Sequence, residues 1–193
     1  MISGILTQRV KPVLECLIGG WQKAYLPDRY IGDATRNTYN LFQYAKNNNL
    51  PGIVLLIDFS KAFDSISYDY ILSTLKVYGF CNYIISWIEL LLQNFRSVTV
   101  LNGNIGEEIE LGRGCRQGDP ISGYLFIIAV ELLIIALQSD YKIQPYTTRG
   151  GLQHLTDIYA DDLTIFLKNL RSKGQNILPV SYTHLTLPTI CSV

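Results

Sequence analysis

Two adjacent aspartates lie near the C-terminal end of the chain, inside the apolar, strand-like stretch HLTDIYADDLTIFLKNL. Residues 155–159 and 163–167 are rich in β-branched and aromatic side chains, which predicts two strands joined by a very short turn. Such turns favour glycine because their central residues take positive φ, and Ala160-Asp161 supplies none. One interpretation is an exposed turn. The alternative is a mildly strained hairpin that is kept for the chemistry of Asp161 and Asp162.

A third carboxylate, Asp58, ends the apolar run GIVLLID. A continuous run of this length predicts a strand that is buried on both faces. Alone, Asp58 is best interpreted as a capping or strand-end residue. If the Asp161-Asp162 hairpin lies beside this strand, three carboxylates meet, and such a cluster suits hard divalent cations such as Mg²⁺ together with substrate phosphates. Two ions about 3.5 to 4 Å apart stabilise the attacking and leaving oxygens of a phosphoryl transfer, which is polymerase or nuclease chemistry.

The rest of the pattern predicts the elements that must position these carboxylates. Helical periodicity begins near Ser67 or Asp69, either of which can cap a helix, and stops at Gly79. In chain order the predicted elements are helical pieces around a Pro27-Asp28 turn, the strand before Asp58, helices 67–79 and 82–95, a hairpin at Asn102-Gly103, the loop GRGCRQGDP, a helix from Asp119-Pro120 to Gln138, and the last hairpin. This order favours an α+β fold, a small antiparallel sheet covered by helices on one face.

Composition narrows the class of protein further. The chain has 193 residues, of which 48% are hydrophobic, so it predicts one domain with a real core and excludes a disordered protein. The four cysteines form no CxxC pair, which indicates neither a zinc site nor a disulfide framework and fits a reducing intracellular compartment. The start, MISGILTQRVKP, does not resemble a signal peptide. Residues 121–137 are apolar but contain Glu131, and we expect a buried core helix in preference to a membrane span.

The charge distribution and the tail add two expectations. The net charge is zero, which is unusual for a protein that binds nucleic acid, although basic residues exceed acidic ones in residues 1–50. From Pro179 onward, VSYTHLTLPTICSV carries no charged residue and shows no clear periodicity. An edge strand is one explanation of the 179–193 tail, and sequence foreign to the domain is the one we favour.

Four motifs together resemble a known family. FSKAFDSI after an apolar strand, RGCRQGDPISGYLF, and YADD followed by apolar residues are similar to successive motifs of reverse transcriptases, most closely those of non-LTR (LINE-type) retrotransposons. QKAYLPDRYIGDAT resembles the short arginine-containing motif that precedes them. The resemblance covers roughly residues 1–178 in the family's order. YADD alone would be a weak signal, whereas the four motifs together are specific.

The resemblance implies which residues hold metal. Asp58 and Asp161 would be the principal ligands, and Asp162 would be the second carboxylate of the hairpin, close to the primer end. The backbone carbonyl of Phe59 would also face a metal. Two Mg²⁺ ions are expected, with Mn²⁺ as the substitute.

The resemblance also implies a nucleotide site. Lys61, Ala62 and Phe63 would line the incoming nucleotide, with the Phe63 ring under the sugar, where it can exclude a 2′-hydroxyl. Ordinary core packing is the alternative for Phe63. Gln117 and Gly118 would contact nucleotide and template, since glycine permits close backbone approach.

Arginines and the remaining acids are assigned less specific roles. Arg29 would bind the triphosphate. Arg113 and Arg116 can each be phosphate contacts or solvated loop charges. The residues that we interpret as structural are Asp64 at a helix start, Asp119 as an N-cap and Glu131 on the core helix, and His154 has no assigned partner.

The expected organisation is a polymerase palm with partial fingers and without a thumb. Residues 1–50 would be the fingers segment and 51–178 the palm, with 179–193 outside the family pattern. Missing basic fingers and thumb would explain the neutral charge. The implied function is that of an RNA-directed DNA polymerase, which extends a DNA primer on an RNA template with deoxynucleoside triphosphates and involves no membrane. The alternatives are an inactive or co-opted fragment that at most binds RNA, and an RNA-templated RNA polymerase, against which Phe63 argues.

Overall fold

The computed structural model describes residues 2–59, 61–93 and 95–168, and these combine helices with small antiparallel sheets. The helices are α1 Ile2–Leu17, α2 Ile31–Asn47, α3 Ala62–Ser65, α4 Tyr68–Val77, α5 Asn82–Leu92 and α6 Ser122–Ser139. The strands are β1 Ile53–Ile57, β2 Arg96–Leu101, β3 Asn104–Glu110, β4 Tyr146–Thr147, β5 Gln153–His154, β6 Thr156–Tyr159 and β7 Asp162–Leu167. The predicted α+β class is therefore confirmed. The tail 179–193 lies outside the described residues.

The central sheet has three strands in the order β1-β7-β6, and both pairings are antiparallel. Its register places Ile57 opposite Leu163 and Tyr159 opposite Asp162. The final hairpin therefore lies directly beside the strand that ends before Asp58, which is the arrangement that the metal hypothesis requires.

The prediction that β1 is buried on both faces was wrong. Its side chains alternate, and Val54 and Leu56 are 39% and 70% exposed, whereas Ile57 is buried. Only one face of the sheet packs on the helical core. The opposite face and α2 line a cavity of about 490 Å³ in which Leu56 and Phe42 take part, so the helix flanks this face without sealing it.

The core is organised around α6. Leu133 and Ile134 are fully buried there, and the helix packs against α1 and α4. Among the described residues, α6 is the one helix whose length and composition would allow it to cross a membrane, and 61% of it is buried inside the fold. The expectation of a core helix is met, since a helix that is apolar all round can be covered by its neighbours.

Local signals fix several element ends as the sequence predicted. The Ser67 hydroxyl accepts a hydrogen bond from the Tyr70 amide at 3.2 Å, and α4 stops before Gly79, whose φ is 77°. Asn102 and Gly103 both have positive φ and join β2 to β3, as a tight hairpin turn demands. The helix α6 begins two residues later than expected.

Asp119 explains this late start. Its carboxylate accepts the amide N–H of Ile121 at 3.3 Å and the hydroxyl of Ser3. The acid thus stabilises the turn before α6 and joins it to α1, and it does not occupy the N-cap position itself.

Candidate active site

The YADD turn is strained in the way that its composition predicted. Ala160 has a φ of 55°, in the left-handed region that a Cβ atom disfavours. Ala160 is buried, and Asp161 and Asp162 follow it at the point where β7 begins. The turn therefore presents two consecutive carboxylates at one end of the sheet.

Asp58 joins them at this end. It follows β1 directly, and the Ile57–Leu163 pairing sets it next to the start of β7. The pKa of Asp161 is raised, first by burial and then by the negative charges of Asp162 and Asp58. The three predicted carboxylates thus share one electrostatic environment, with Asp58 and Asp162 exposed and Asp161 half-buried.

The donors at this site fit a cation that is completed by substrate. Within the parts of residues 2–168 that the structure describes, no three His, Cys, Asp or Glu side chains form a group that could hold a metal ion. Mg²⁺, however, is usually bound by one or two carboxylates plus phosphates and water. A pair of carboxylates at adjacent strand ends, Asp58 and Asp161, meets that requirement, and binding a cation would relieve their repulsion.

The Phe59 carbonyl is engaged locally. It accepts the amide N–H of Ala62 at 3.1 Å, while the Phe59 side chain is buried. A carbonyl oxygen has two lone pairs, so this hydrogen bond leaves one for the predicted metal contact.

The segment predicted to line the nucleotide starts α3. Lys61 is exposed and has a φ of 51°, and Ala62 is buried. The Phe63 ring stacks on Phe126 of α6, with centroids 4.2 Å apart, and forms a T-shaped pair with Tyr25, with centroids 6.4 Å apart. One face of Phe63 is therefore packed on the core, as the alternative interpretation expected, and the ring is half-buried. Its contact with a sugar stays a prediction.

Backbone hydrogen bonds join the glycine-rich loop to this segment. The amides of Cys115 and Gly114 donate to the carbonyls of Phe63 and Ile66 at 2.7 and 2.8 Å. Gly114 has a φ of 94°, and a Cβ there would lie 3.1 Å from the backbone of Asp64. The loop that carries the predicted Gln117 contact is thus held against the nucleotide-lining segment.

Gln117 and Gly118 are exposed at the tip of that loop. Gly118 has a φ of 84°, and a Cβ there would meet nothing within 4 Å. Within this structure the backbone conformation, and not crowding, requires glycine. The close approach of a ligand to this residue stays a prediction.

Arg29 is engaged by the protein itself. Its Nη1 donates to the carbonyls of Gly19 and Gln22, the latter at 2.8 Å, and its Nη2 donates to that of Ile18 at 2.9 Å. The guanidinium therefore organises the segment between α1 and α2. Its predicted contact with the triphosphate stays a prediction, and it would compete with these carbonyls.

Sequence reasoning missed two residues that contact the site. Gln22 is 1% exposed, and its side-chain amide bonds both the N–H and the C=O of Ala160. Tyr25 has a φ of 62°, and its pKa is raised by burial and by the charge of Asp161. Both lie in the QKAYLPDR motif, but nothing in that motif indicates a contact with residues so distant in sequence.

Two more of the residues considered in the sequence, Glu131 and Arg116, have structural partners. The buried Glu131 carboxylate accepts the amide of Gly19 at 2.8 Å and the indole N–H of Trp21 at 3.0 Å, as expected of a structural residue. The Arg116 guanidinium lies 3.6 Å from the centre of the Phe95 ring, a cation–π contact.

His154, for which the sequence indicated no partner, lies 2.9 Å from the carboxylate of Asp157. Of the predicted residues, the carboxylates and the Phe63 segment converge on one edge, with the Gln117 loop tied to that segment. Arg29 bonds to carbonyls of the segment between α1 and α2, and its contact with the triphosphate stays a prediction.

A three-stranded antiparallel sheet, with carboxylates at adjacent strand ends and a helical core behind it, is the palm of a nucleic-acid polymerase. The family model described as reverse transcriptase (RNA-dependent DNA polymerase) matches residues 1–186, and the chain belongs to this family. The predicted resemblance is thereby confirmed.

Relatives come from retrotransposable elements. The chain is 32% identical over 184 residues to a retrovirus-related Pol polyprotein from type-1 retrotransposable element R2 of Popillia japonica, covering 88% of this chain and 23% of that protein. It is 25% identical over 170 residues to the transposon TX1 uncharacterized 149 kDa protein of Xenopus laevis, covering 88% and 13%. The chain thus spans less than a quarter of the length of these relatives.

Solved structures share the fold at low identity. Telomerase from Candida albicans, in complex with a fragment of telomeric RNA, aligns with a TM-score of 0.58 and 11% identity over 99% of this chain and 33% of that one. Apo telomerase from Candida tropicalis, truncated from its C-terminal domain, aligns with a TM-score of 0.57 and 12% identity over 94% and 36%. These likenesses support the fold alone.

Proposed function

We propose that this chain forms the palm of an RNA-directed DNA polymerase that extends a DNA primer on an RNA template with deoxynucleoside triphosphates. The observation that carries the proposal is the meeting of Asp58, Asp161 and Asp162 at one end of the sheet, where their charges influence one another. Carboxylates that repel one another at an accessible edge of a sheet are stabilised in their ionised form when they bind cations.

The chain's own residues would contribute position and charge. Asp58 and Asp161 would hold the metals, with Asp162 beside them near the primer end. When bound, two Mg²⁺ ions, or Mn²⁺ in their place, would stabilise the attacking 3′-hydroxyl and the leaving pyrophosphate. Such catalysis needs no protein nucleophile, because alignment and electrostatic stabilisation supply the rate.

The nucleotide would lie between two neighbouring segments. The half-buried Phe63 ring is held by Phe126 and would support the sugar and oppose a 2′-hydroxyl. The exposed Lys61 would face phosphates. Gln117 would contact the nucleotide and template, since its loop is bonded to the backbone of Phe63.

Primer extension on poly(rA)/oligo(dT) tests this function. We expect the chain to incorporate dTTP in preference to UTP, and Asp161→Asn to lower incorporation at least about a hundredfold, the scale for losing one transition-state contact. Asp69→Asn is the matched control, because Asp69 is an exposed acid in the first turn of α4.

Three results would contradict the proposal. Equal incorporation by the parent and Asp161→Asn would remove the catalytic assignment. A folded but inactive parent would favour the inactive or co-opted alternative, and equal use of UTP would favour an RNA polymerase.

A further inference from the structure

The strained turn is held by a single buried side chain from a distant part of the sequence. Gln22 Oε1 accepts the amide N–H of Ala160 at 3.0 Å, and its Nε2 donates to the carbonyl of Ala160 at 3.4 Å. The same Oε1 accepts the amide of Ala24 at 2.9 Å. One side chain thus bonds both polar backbone groups of Ala160, the residue whose φ is left-handed.

The segment around Gln22 is itself fixed against the sheet. Lys23 donates its amide to the carbonyl of Ile158 at 2.8 Å, and Ile158 donates its own to that of Trp21 at 3.0 Å. These bonds make a short parallel bridge at the outer edge of β6. The side chain that meets the turn is therefore carried by backbone already paired with the hairpin.

Two charged residues form further hydrogen bonds to this segment. Arg29 donates to the carbonyl of Gln22, and Glu131 accepts the indole N–H of Trp21. This network is partly buried, and its hydrogen bonds restrict the backbone on either side of Gln22. Because the backbone of Gln22 is fixed by these bonds, its side chain cannot move along if the Ala160 turn changes conformation.

We propose that Gln22 is a positioning residue that keeps the Ala160-Asp161 turn in its left-handed form and thereby orients the Asp161 carboxylate. An alanine there prefers other backbone conformations, so the turn needs external bonds to stay strained. Glutamine suits the task because it offers both a donor and an acceptor. The inference rests on the proposed catalytic role of Asp161.

Hydrogen exchange of the metal-free chain tests the contact without reference to activity. Gln22→Leu is expected to speed exchange of the Ala160 amide at least about tenfold, since that N–H loses its bonded partner. Gln138→Leu is the control, because it removes a side-chain amide bond to Thr156 at the other end of β6, away from the turn. Unchanged Ala160 exchange in Gln22→Leu would overturn the proposal.

Primer-extension kinetics test the consequence. Gln22→Leu is expected to lower kcat about tenfold or more while KM for the template-primer stays within about twofold, because an interaction that matters only in the transition state acts on kcat. Adding Ala160→Gly should restore part of the lost kcat, since glycine adopts positive φ without help. A purely structural role would give no such rescue, and its absence would overturn the proposal.

A shorter variant keeps the test decisive if Gln22→Leu does not fold. Gln22→Asn retains the amide but shortens the side chain, so we expect the same changes at smaller amplitude. Parent-like exchange and kcat in Gln22→Asn would overturn the proposal. Failure of the proposed function looks different: the parent itself would be inactive, while the exchange experiment would still decide whether Gln22 holds the turn.

Discussion

Among single residues, the three aspartates of the site repel one another as long as no cation is bound. Asp161 is half-buried beside Asp58 and Asp162, and each of these conditions raises its pKa. The ionised form is therefore less favourable in the folded chain than in the unfolded chain. Without a cation, this carboxylate should cost stability at neutral pH.

Asp161→Asn is accordingly expected to raise the melting temperature at pH 7 in the absence of divalent ions. The pKa of Asp161 in the folded chain lies above the usual 3.8. Protonated Asp161 therefore stabilises the fold fully at low pH, and this stabilisation is lost as the pH rises through the folded pKa. The gain should therefore disappear below about pH 3.8. Thermal melts of the parent, Asp161→Asn and the Asp69→Asn control, each with EDTA, measure it.

A variant that melts below the parent at pH 7 would contradict this account. Adding Mg²⁺ should reduce the difference, because an ion that binds only the folded parent stabilises it by mass action.

Three other polar residues form hydrogen bonds within the protein. Arg29 and Glu131 bond to backbone and indole groups between α1 and α2, and Gln22 bonds to the turn. A side chain that is fully engaged in this way acts on the site through the backbone that it holds. The residues nearest the chemistry and those that keep them in place are thus different sets.

At the scale of elements, the loop before α6 matters because it is paired with the segment that carries Phe63. Two backbone hydrogen bonds join them, and Gly114 allows the close approach. The same contacts cover Cys115, where burial and the charges of Asp119 and Asp64 raise the pKa of the thiol to about 12. A closed loop should therefore keep this thiol unreactive at neutral pH.

Gly114→Ala is expected to destabilise the fold by more than about 1–2 kcal/mol, the cost of a left-handed alanine, because its Cβ would also press on Asp64. Gly112→Ala is the matched control, since a Cβ there meets nothing within 4 Å, and it should change stability by about 0.5 kcal/mol or less. Denaturant unfolding of the variants measures the difference. Equal stability of the two would show that the loop does not pack as described.

At the scale of the whole molecule, α6 is the common support. It packs against α1 and α4, and it carries Phe126 under the predicted nucleotide site and Glu131 behind the Gln22 segment. Core and site therefore share one helix. A substitution that loosens the packing of α6 should therefore disturb both the Phe126 contact and the Glu131 contact.

Ile134→Ala is expected to lower the free energy of unfolding by about 2–5 kcal/mol, the range for removing a fully buried aliphatic side chain. Ile135→Ala is the control, because Ile134 is 0% exposed and Ile135 is 39% exposed on the same helix. Urea unfolding followed by circular dichroism measures both. Similar losses in the two variants would contradict the description of α6 as a core helix with one outward face.

Much of this protein follows from its sequence alone. The carboxylates and the order of the motifs are visible in the sequence itself. Most element ends depend on local signals, such as the Ser67 cap and the Asn102-Gly103 turn, which act over a few residues. Pattern reasoning reads such signals directly. The family, the α+β fold and the short hairpin beside the Asp58 strand could therefore be predicted.

The tertiary structure decided what depends on contacts between distant residues. The apolar run GIVLLID could not show that β1 is open on one face, because exposure depends on which elements cover a strand, and α2 flanks this face without sealing it. Nor could a pattern show that Arg29 is occupied by carbonyls. The hold of Gln22 on Ala160, across 138 residues of sequence, depends on how the chain folds back on itself. The role of a side chain depends on the residues that it contacts, and only the folded chain determines those contacts.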